Sequence, residues 1–500
     1  MGFFFLEIGR KKMKENGVMY QAFYWDYPED RLYKELAEKA GDLAALGISG
    51  VWMPPAAKGT SPQDVGYGSY DYWDLGEFDQ KGTIRTRYGT REELEKAIQA
   101  LHDQGLQVYA DMVFNHKNGA DESEVFQAVM VDQNDRSKDV SEAYDIEGWT
   151  KFTFPGRKGK YSDFTWHYYH FNGIDFDQKT GTKAIYRILG EGKYWNEGTD
   201  LEKGNFDYLM AADIDHDHPD VVEELTRVAD FMVNKMGYDG FRYDALKHIS
   251  SHFIDVLSAH ILEEKPDFYF VGEYWKNNEG VMGHYLNETA YNVDLFDVPL
   301  HFNFAQAASD PSYDIRKIFD GSLVQDKPLA AVTFVDNHDS QLGQSLESWV
   351  GDWFKEIAYA LILFRKDGYP CVFAGDLLGI PDVDYPGMGD RLSTMLKLRQ
   401  QAAYGDQDDY MVTPTKMAWV RRGTEDHPNP LAVLISTGDM DQERLFVGQE
   451  EAGRVYKDWS GKNEEITIDE EGFGTFTVAP GSVTYWTRED LDLDGGRTQE

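Results

Sequence analysis

Short apolar runs alternate with longer amphipathic segments along this chain of 500 residues, and this alternation limits its possible folds more than any other feature. Amphipathic segments of helical length include residues 31–46, 91–102 and 220–236. Strands that alternate with helices are typical of parallel β-strands joined by crossover helices. The eight apolar runs cover residues 18–25, 48–55, 107–115, 238–245, 268–275, 293–298, 331–339 and 371–376. Eight such runs predict an α/β fold, the (β/α)8 TIM barrel. A doubly wound sheet is the alternative, but no Gly-rich nucleotide loop follows the first run.

Two further domains are indicated by breaks in this pattern. The gap between the third and fourth runs, from residue 115 to residue 238, is far longer than an ordinary βα loop. After about residue 405 the chain changes to stretches of alternating hydrophobicity, which are typical of antiparallel strands. We therefore predict a barrel, an inserted domain B after strand 3, a C-terminal antiparallel β-sandwich and an acidic tail. Their predicted bounds are 1–114 with 219–404 for the barrel, 115–218 for domain B, 405–488 for the sandwich and 489–500 for the tail.

The charge balance excludes some classes of partner. Lys and Arg number 49 and Asp and Glu number 88, which gives a formal charge of −39. A nucleic-acid-binding surface must be cationic, and anionic membranes attract basic segments, so neither partner is expected. The acidity could serve a calcium site, but such a site needs only a handful of carboxylates. We favour a generally acidic surface of the halophilic kind, in which salt screens the self-repulsion.

The cellular compartment is only partly constrained. Cys371 is the single cysteine, so no intrachain disulfide can form. The apolar run 3–6 is too short for the apolar region of a signal peptide, and the basic residues follow it rather than precede it. No stretch reaches the roughly 18 apolar residues of a membrane span. We predict a cytoplasmic, monomeric protein; removal of a leader from the natural chain would make it a secreted one.

Polar residues cluster at the ends of four of the otherwise apolar runs. Catalytic groups of a TIM barrel lie at the carboxyl ends of its strands. Such residues are Asp111, Asn115 and His116 at the end of the third run; Arg242, Asp244, Lys247 and His248 at the end of the fourth; Glu273 and Trp275 at the end of the fifth; and Asp336, His338 and Asp339 at the end of the seventh. Buried charge is costly unless it is paired, so these clusters predict one polar site at the barrel mouth.

Two of these acids have the environments that a pair of catalytic carboxyl groups needs. Arg242 and Asp244 point the same way on a strand, and the guanidinium favours an ionised carboxylate. Glu273 follows an apolar run, which would raise its pKa and keep it protonated. One ionised and one protonated carboxyl group are what retaining glycoside hydrolysis requires. Taken singly, each residue has a structural alternative, since a strand-end Asp is usually a cap and an Arg–Asp pair is usually an ion pair.

The segments DMVFNHK, GFRYDALKH, GEYW and FVDNHD resemble, in order, the four signature segments of glycoside hydrolase family 13. The resemblance extends over nearly the whole chain, for example in VGYGSYDYWDLGEFDQKGT and GNFDYLM, and is strongest to liquefying bacterial α-amylases and their intracellular relatives. It implies a (β/α)8 barrel with domain B and a C-terminal β-sandwich. The implied activity is endo-acting, retaining hydrolysis of internal α-1,4 bonds in starch, glycogen or maltodextrin.

The resemblance also implies roles for individual residues. Asp244 would be the nucleophile, Glu273 the general acid/base and Asp339 the transition-state stabiliser. Arg242 would orient Asp244. The implied substrate-binding residues are His116 and His338, which would hydrogen-bond the sugar before the scissile bond, Tyr67, which would stack on it, and Lys247 and Trp275, which would contact the leaving side.

A calcium ion is the implied cofactor. Asp213, Asp215 and Asp217 alternate in ADIDHDHPD, but an EF-hand loop is excluded because His218 stands where that loop needs Gly. By resemblance, the calcium ligands are Asn115, Asp207, Asp213 and the backbone carbonyl of His248. A second metal cluster of many liquefying relatives uses Asp at two positions that are Asn172 and Asn196 here. Neutral amides lower the charge of the ligand set, so we predict one firm calcium and a weakened or absent second cluster.

Two other functions remain open from the sequence. A family-13 transglycosylase or exo-acting glucosidase would share the same barrel site. A catalytically inactive carbohydrate-binding protein is expected to lack one of the three acids, and all three are present here.

The acidic surface generates a first testable prediction. Because molar salt screens repulsion among like charges, the midpoint of thermal unfolding should rise between low and molar KCl. A midpoint that stays constant or falls would contradict the halophilic interpretation.

Overall fold

A computed structural model describes residues 16–493 of the chain. The N-terminal apolar run, residues 3–6, from which the absence of a signal peptide was predicted, lies outside this range. The last seven residues of the predicted acidic tail, 494–500, also lie outside it. Within residues 16–493, none of the helices is both long and apolar enough to cross a bilayer.

The chain begins with three parallel strands and two helices. The strands are β1 (Met19–Gln21), β2 (Gly50–Trp52) and β3 (Gln107–Met112), and the helices are α1 (Leu32–Ala45) and α2 (Arg91–Asp103). Helix α2 begins with a capping box, in which the side chains of Thr90 and Glu93 each accept a hydrogen bond from the other's backbone N–H. Such a box satisfies N–H groups that have no partner within the helix.

A separate antiparallel sheet follows β3. Its strands are β4 (His116–Lys117), β5 (Glu122–Met130), β6 (Tyr144–Lys151), β7 (Phe171–Asp177), β8 (Thr182–Ile188) and β9 (Ala212–Ile214), in the order β4-β9-β7-β8-β5-β6. The sheet therefore lies within the segment 115–218 that was predicted to form domain B. Strand β4 leaves the barrel directly after β3, so the first residues of this sheet border the barrel mouth.

The barrel resumes after β9. Its remaining strands are β10 (Gly240–Tyr243), β11 (Tyr269–Gly272), β12 (Asp294–Phe296), β13 (Ala331–Phe334) and β14 (Tyr369–Phe373). The helices are α3 (Pro219–Phe231), α4 (Ser251–Glu264), α5 (Glu279–Glu288), α6 (Val298–Ser309), α7 (Leu323–Asp326), α8 (Asp352–Leu363), α9 (Ala374–Leu378) and α10 (Asp390–Ala402). Met19 of β1 pairs with both Gly50 and Cys371, which closes the barrel and confirms the predicted fold class.

Seven of the eight apolar runs each contain one complete barrel strand, and the eighth run overlaps β14; the strands are shorter than the runs. The excess lies mainly beyond the carboxyl ends, where the polar residues of the site stand. Strand β14 begins two residues before the predicted eighth run, and Asp376 at the end of that run belongs to α9.

The C-terminal part folds as two antiparallel sheets. The strands are β15 (Gln407–Thr413), β16 (Lys416–Arg421), β17 (Leu431–Ser436), β18 (Asp441–Phe446), β19 (Val455–Asp458), β20 (Ile466–Thr467), β21 (Phe473–Val478) and β22 (Ser482–Arg488). The six-stranded sheet has the order β15-β16-β17-β22-β19-β20, and β18 pairs with β21. Ala418 and Leu434 pack in the core of the sandwich, whereas Trp419 and Val433 pack with the barrel core. Strands β16 and β17 are therefore buried on both faces.

A buried ion cluster fixes the loop that follows β13. Lys355 of α8 lies 2.6 Å from an oxygen of Asp336 and 2.5 Å from one of Asp376, and all three side chains are buried. Asp336 also accepts hydrogen bonds from the Ser340 hydroxyl and the Val350 backbone N–H. Burial, together with the charge of Asp376, raises the pKa of Asp336 to about 7. The cluster ties the loop that carries His338 and Asp339 to two helices.

Replacement of Lys355 by Met should therefore destabilise the fold. Removing one partner of a buried ion pair typically costs about 3–5 kcal/mol, because an unpaired charge stays buried. A carboxyl group whose pKa is higher in the folded than in the unfolded state weakens the fold as pH rises through that interval, so the loss should be larger at about pH 8 than at about pH 4. The midpoint of thermal unfolding, compared between the variant and the wild type at both pH values, measures this loss of stability. Lys96→Met removes an exposed ion pair of α2 and is the control; equal midpoints in the two variants would contradict the prediction.

Candidate active site

The acids predicted at the barrel mouth stand at the ends of adjacent strands. Asp244 directly follows β10 and Glu273 directly follows β11, and the last residues of these strands pair with each other. Asp111 of β3 pairs in register with Arg242 of β10. The side chains of Asp244, Glu273 and Asp339 are 11%, 9% and 17% exposed. All three therefore reach solvent from an otherwise closed barrel.

Arg242 joins these acids. It is fully buried, and its Nη1 donates to Asp111 Oδ1 at 2.9 Å and to Asp244 Oδ1 at 2.7 Å. Its Nη2 donates to Glu273 Oε2. A planar guanidinium offers donors in a fixed fork, so one side chain sets the positions of three carboxyl groups. The bond to Asp244 follows the sequence prediction, whereas the bond to Glu273 was not predicted.

The electrostatics of this group favour a proton on Glu273. Burial raises the pKa of Glu273 to about 8; the charges of Asp244 and Asp339 add to the effect, and Arg242 opposes it. Burial likewise raises the pKa of Asp339 to about 7 and that of Asp111 to about 6, again against the influence of Arg242. One guanidinium cannot compensate four ionised carboxylates in a buried site. Among these three acids, Glu273 therefore keeps its proton to the highest pH.

Asp111 is occupied by protein contacts. Its second oxygen accepts hydrogen bonds from Trp52 Nε1 at 3.0 Å and from the Tyr67 hydroxyl at 2.8 Å. The Trp52 ring centroid also lies 4.9 Å from the guanidinium carbon of Arg242. Asp111 thus holds Arg242 and an aromatic wall together.

Two of the predicted substrate-binding residues, His116 and Lys247, already have protein partners. His116 is buried, and its Nε2 donates to the Tyr67 backbone carbonyl at 2.8 Å. The ammonium group of Lys247 lies 3.6 Å from Glu202 and 4.8 Å from the Phe206 ring. A sugar contact by His116 through Nε2 would require this hydrogen bond to open.

The remaining three predicted substrate-binding residues, Tyr67, Trp275 and His338, lie among aromatic rings. Trp275 is half-buried beside His301, with ring centroids 5.8 Å apart. The rings of His338 and Tyr67 are stacked, with centroids 5.1 Å apart.

The predicted calcium ligands form a separate buried cluster beside the mouth. Asn115, Asp207, Asp213 and His248 are all buried. Asn115 Oδ1, Asp207 Oδ1 and both carboxylate oxygens of Asp213 make no hydrogen bond within the described part of the chain. Burial raises the pKa of Asp207 to about 7, and burial together with the charge of Asp207 raises the pKa of Asp213 well above its usual range. Hard oxygen donors without partners fit a Ca²⁺ ion, which would compensate the buried charge.

The two asparagines of the predicted second cluster bond to protein groups. Asn172 Nδ2 donates to Asn196 Oδ1 at 2.9 Å and to Asp207 Oδ2 at 3.1 Å. Close by in sequence, Lys193 Nζ donates to Asp215 Oδ2 at 2.6 Å. An amide pair and an ammonium group therefore satisfy oxygens that could otherwise hold a metal.

Another group of metal-type ligands joins domain B to α3. The ligand atoms of His170, His218 and Asp220 lie within 4.8 Å of one another. However, His170 Nδ1 accepts the backbone N–H of His167 at 3.0 Å. A neutral imidazole has one N–H, so Nε2 of His170 carries the proton and has no lone pair for a metal. This group does not fit a metal in the arrangement observed.

Sequence reasoning missed residues behind the acids. Gln21 ends β1 and lies against His338, Trp52 supports Arg242 and Asp111, and Lys355 anchors the loop after β13. Gln21 interrupts the otherwise apolar first run, residues 18–25, and this interruption is the sequence signal that could have identified it.

A TIM barrel with ionisable groups gathered at the carboxyl ends of its strands defines a barrel enzyme with its site at that face. Residues 34–421 match the family described as alpha amylase, catalytic domain. The chain is 47% identical over 480 residues to a glucan 1,4-alpha-maltohexaosidase of Bacillus sp. (strain 707), covering 95% of this chain and 93% of that protein. It is 39% identical over 493 residues to a cytoplasmic alpha-amylase of Escherichia coli (strain K12), covering 95% and 99%.

A solved structure, an alpha-amylase from Geobacillus thermoleovorans complexed with acarbose, aligns with a TM-score of 0.64 at 16% identity, covering 96% of this chain and all of that one. At this identity the likeness concerns the fold alone. The sequence matches carry the assignment: this chain belongs to the alpha-amylase family of glycoside hydrolases.

Proposed function

We propose that this protein is a retaining, endo-acting α-amylase that hydrolyses internal α-1,4 bonds of glucan chains. The observation that carries the mechanism is that Asp244 and Glu273 both accept hydrogen bonds from the guanidinium of Arg242, while burial raises the pKa of Glu273 to about 8. Carboxyl groups that share one bridging group are close together. Retaining hydrolysis uses a separation of about 5–5.5 Å, whereas inverting hydrolysis needs about 6.5–9.5 Å to admit a water molecule.

In the first step, a carboxylate oxygen of Asp244 attacks the anomeric carbon and the bond to the leaving oxygen breaks. The proton of Glu273 passes to that oxygen, so the shortened chain leaves as a neutral alcohol. Arg242 aims Asp244 through its 2.7 Å hydrogen bond. The product of this step is a glycosyl ester on Asp244.

In the second step, the ionised Glu273 takes a proton from water, and the water oxygen attacks the anomeric carbon from the side the leaving group occupied. The ester bond breaks and Asp244 returns as a carboxylate. Two displacements at one carbon restore its configuration, so the new reducing end is the α-anomer.

Asp339 would stabilise the positive charge that develops on the sugar ring. His338, Tyr67 and His116 would surround the sugar before the scissile bond, and Lys247 and Trp275 would contact units on the leaving side. Tyr67 is already anchored to Asp111, which supports a fixed platform rather than a mobile one. Lys247 lies close to Glu202, so a substrate hydroxyl would compete with that ion pair.

The cofactor in this proposal is one Ca²⁺, held by Asn115, Asp207, Asp213 and the carbonyl of His248. The buried oxygens without partners support it. Bound there, the ion would join domain B to the barrel and supply no chemistry to the reaction. The bonds of Asn172 to Asn196 and of Lys193 to Asp215 support a single firm site.

The domain bounds proposed from the sequence, 1–114 with 219–404, 115–218 and 405–488, are consistent with where the three groups of sheets begin and end. We propose an α-1,4-glucan as the partner, a monomeric state and a cytoplasmic location. The Escherichia coli relative that is named cytoplasmic supports the location. The formal charge of −39 supports adaptation to high salt.

The activity is tested with a long α-1,4-glucan labelled at its reducing end. The wild-type protein should cut within the chain and release α-anomers, and Glu273→Gln should lose at least about 10²-fold in kcat because no proton reaches the leaving oxygen. Fragment sizes and the anomeric configuration of new ends are the readouts. Glu288→Gln, at an exposed position of helix α5, is the matched control and should keep wild-type activity.

The same assay separates the alternatives. Release of glucose alone would indicate an exo-acting glucosidase, and chains longer than the substrate would indicate a transglycosylase. Wild-type activity should also fall as pH rises through about 8, where Glu273 loses its proton. Mid-chain cleavage that survives in Glu273→Gln would contradict the assignment of the acid.

Calcium binding is tested by titration of metal-stripped protein. One tight site is expected, and Asp213→Asn should weaken it by more than about 100-fold, since even outer partners of a metal site contribute 10–100-fold. Asp217→Asn, at an exposed position of the same segment, should bind normally. The double variant Asn172→Asp, Asn196→Asp should gain a second binding event. Two tight sites in the wild type would contradict the proposal.

A further inference from the structure

The ring of His338 is held in a fixed plane. It is buried, with the rings of Tyr67 and Trp25 stacked nearly parallel to it at 5.1 and 5.9 Å between centroids. Phe23 and Trp52 pack at 5.0 and 5.7 Å on other sides. Aromatic packing of this kind fixes where the ring lies, but it does not distinguish which of the two nitrogens carries the proton.

Gln21 makes that distinction. It is the last residue of β1, it is fully buried, and its Nε2 lies 2.9 Å from His338 Nδ1. An amide nitrogen can only donate, so Nδ1 accepts. Burial and the nearby charge of Arg242 lower the pKa of His338 well below its usual range, which keeps the imidazole neutral. A neutral ring that accepts at Nδ1 carries its single proton on Nε2.

The Nε2 atom is turned towards the acids. It is buried, lies 3.3 Å from Asp339 Oδ2 and makes no hydrogen bond within residues 16–493. If the Gln21 amide were reversed, its oxygen would accept from Nδ1–H and the lone pair of Nε2 would face the carboxylate. Two acceptors would then be directed at each other, whereas the observed orientation directs a donor at an acceptor.

We propose that Gln21 is a positioning residue that holds His338 in the Nε2–H tautomer, so that this N–H and Asp339 together bind one hydroxyl of the sugar before the scissile bond. This inference deepens the proposed function and rests on it. A hydroxyl has one proton and two lone pairs. It can accept from Nε2–H and donate its own proton to Asp339, forming a chain His338–hydroxyl–Asp339. In the other tautomer, Nε2 and Asp339 would compete for that single proton.

The hydrogen-bond chain from His338 through the sugar hydroxyl to Asp339 contributes most in the transition state. Hydrogen bonds to sugar hydroxyls that strengthen as the ring gains positive charge lower the barrier. Loss of the tautomer should therefore act on kcat more than on KM.

The kinetic test compares substitutions of Gln21 on the same glucan. Gln21→Leu removes the donor to Nδ1 and should lower kcat by about 10²-fold, the usual loss for one transition-state donor, with KM changed less than about threefold. Gln107→Leu is the matched control, because Gln107 begins β3 at the opposite end of the barrel. A loss of kcat in Gln21→Leu no larger than that in Gln107→Leu would overturn the proposal.

The pH dependence of kcat in Gln21→Glu distinguishes a positioning role of Gln21 from a purely structural one. When the introduced carboxyl group is ionised, it accepts from Nδ1–H of His338 and leaves Nε2 without a proton. On acidification the pair formed by this carboxyl group and His338 gains a proton, and either placement of it, on the carboxyl group or on the ring, restores Nε2–H. The kcat of this variant should therefore recover as pH falls.

The pH profiles of the wild type and Gln21→Glu are compared directly. The titratable and charged groups around His338 are Tyr67, Arg242 and Asp339, with Asp111, Asp244 and Glu273 behind Arg242. Cys371 of the adjacent strand β14 lies beside Gln21. All these groups are common to both proteins, so the difference between the two profiles isolates the introduced carboxyl group and His338. If kcat changed with pH in the same way in the wild type and in Gln21→Glu, the proposal would be overturned.

The tautomer itself can be observed without turnover. Nitrogen-15 NMR of the histidine rings, with His338 assigned by its loss in His338→Asn, should show Nε2–H in the wild type and a changed pattern in Gln21→Glu. A wild-type ring protonated on Nδ1 would overturn the proposal even if no Gln21 variant folds. An inactive wild type that shows Nε2–H would count against the proposed function and support the tautomer assignment.

Discussion

The shared guanidinium of Arg242 is the interaction on which the site depends. It is fully buried and donates to carboxyl groups on β3, on the end of β10 and on the end of β11. A buried charge of this kind is tolerated only when paired, and four acids around one cation cannot all be ionised. Burial and this excess negative charge raise the pKa of Glu273 to about 8, so Glu273 holds its proton beside a carboxyl group that the same guanidinium positions.

The rest of the molecule holds that arrangement in place. The barrel brings Arg242 and Asp111 into register, and Trp52 packs on the guanidinium while it donates to Asp111. Lys355 anchors the loop that carries His338 and Asp339. In the segment that carries the domain B sheet, buried oxygens of Asp207 and Asp213 have no hydrogen-bond partner in the described part of the chain. The acids around Arg242, those around Lys355, and the pair Asp207 and Asp213 each concentrate negative charge in a buried place. Such charge is stable only when a cation, either a protein side chain or a bound ion, offsets it.

The fold class and the positions of the acids could be predicted from the sequence because both follow from short-range patterns. Polar residues that interrupt apolar runs mark strand ends, and a period of two places Arg242 beside Asp244. The sequence could not show that Arg242 also contacts Glu273, because the register between β10 and β11 depends on how the strands pair in the folded sheet. The pairing of Asn172 with Asn196 and the burial of both faces of β16 are likewise invisible to local pattern. Gln21 was overlooked because a single polar residue at a strand end usually has only a structural role.

The central claim is that Asp244 is the nucleophile and Glu273 its proton donor. Incubation of Glu273→Gln with an α-maltosyl fluoride tests it most directly, because fluoride leaves without an acid while the amide introduced at position 273 cannot activate water for the second step. Mass spectrometry of proteolytic fragments should then find a maltosyl ester on the peptide that contains Asp244, and no such adduct in Asp244→Asn. An ester on another peptide, or turnover to β-anomers without any ester, would contradict the account.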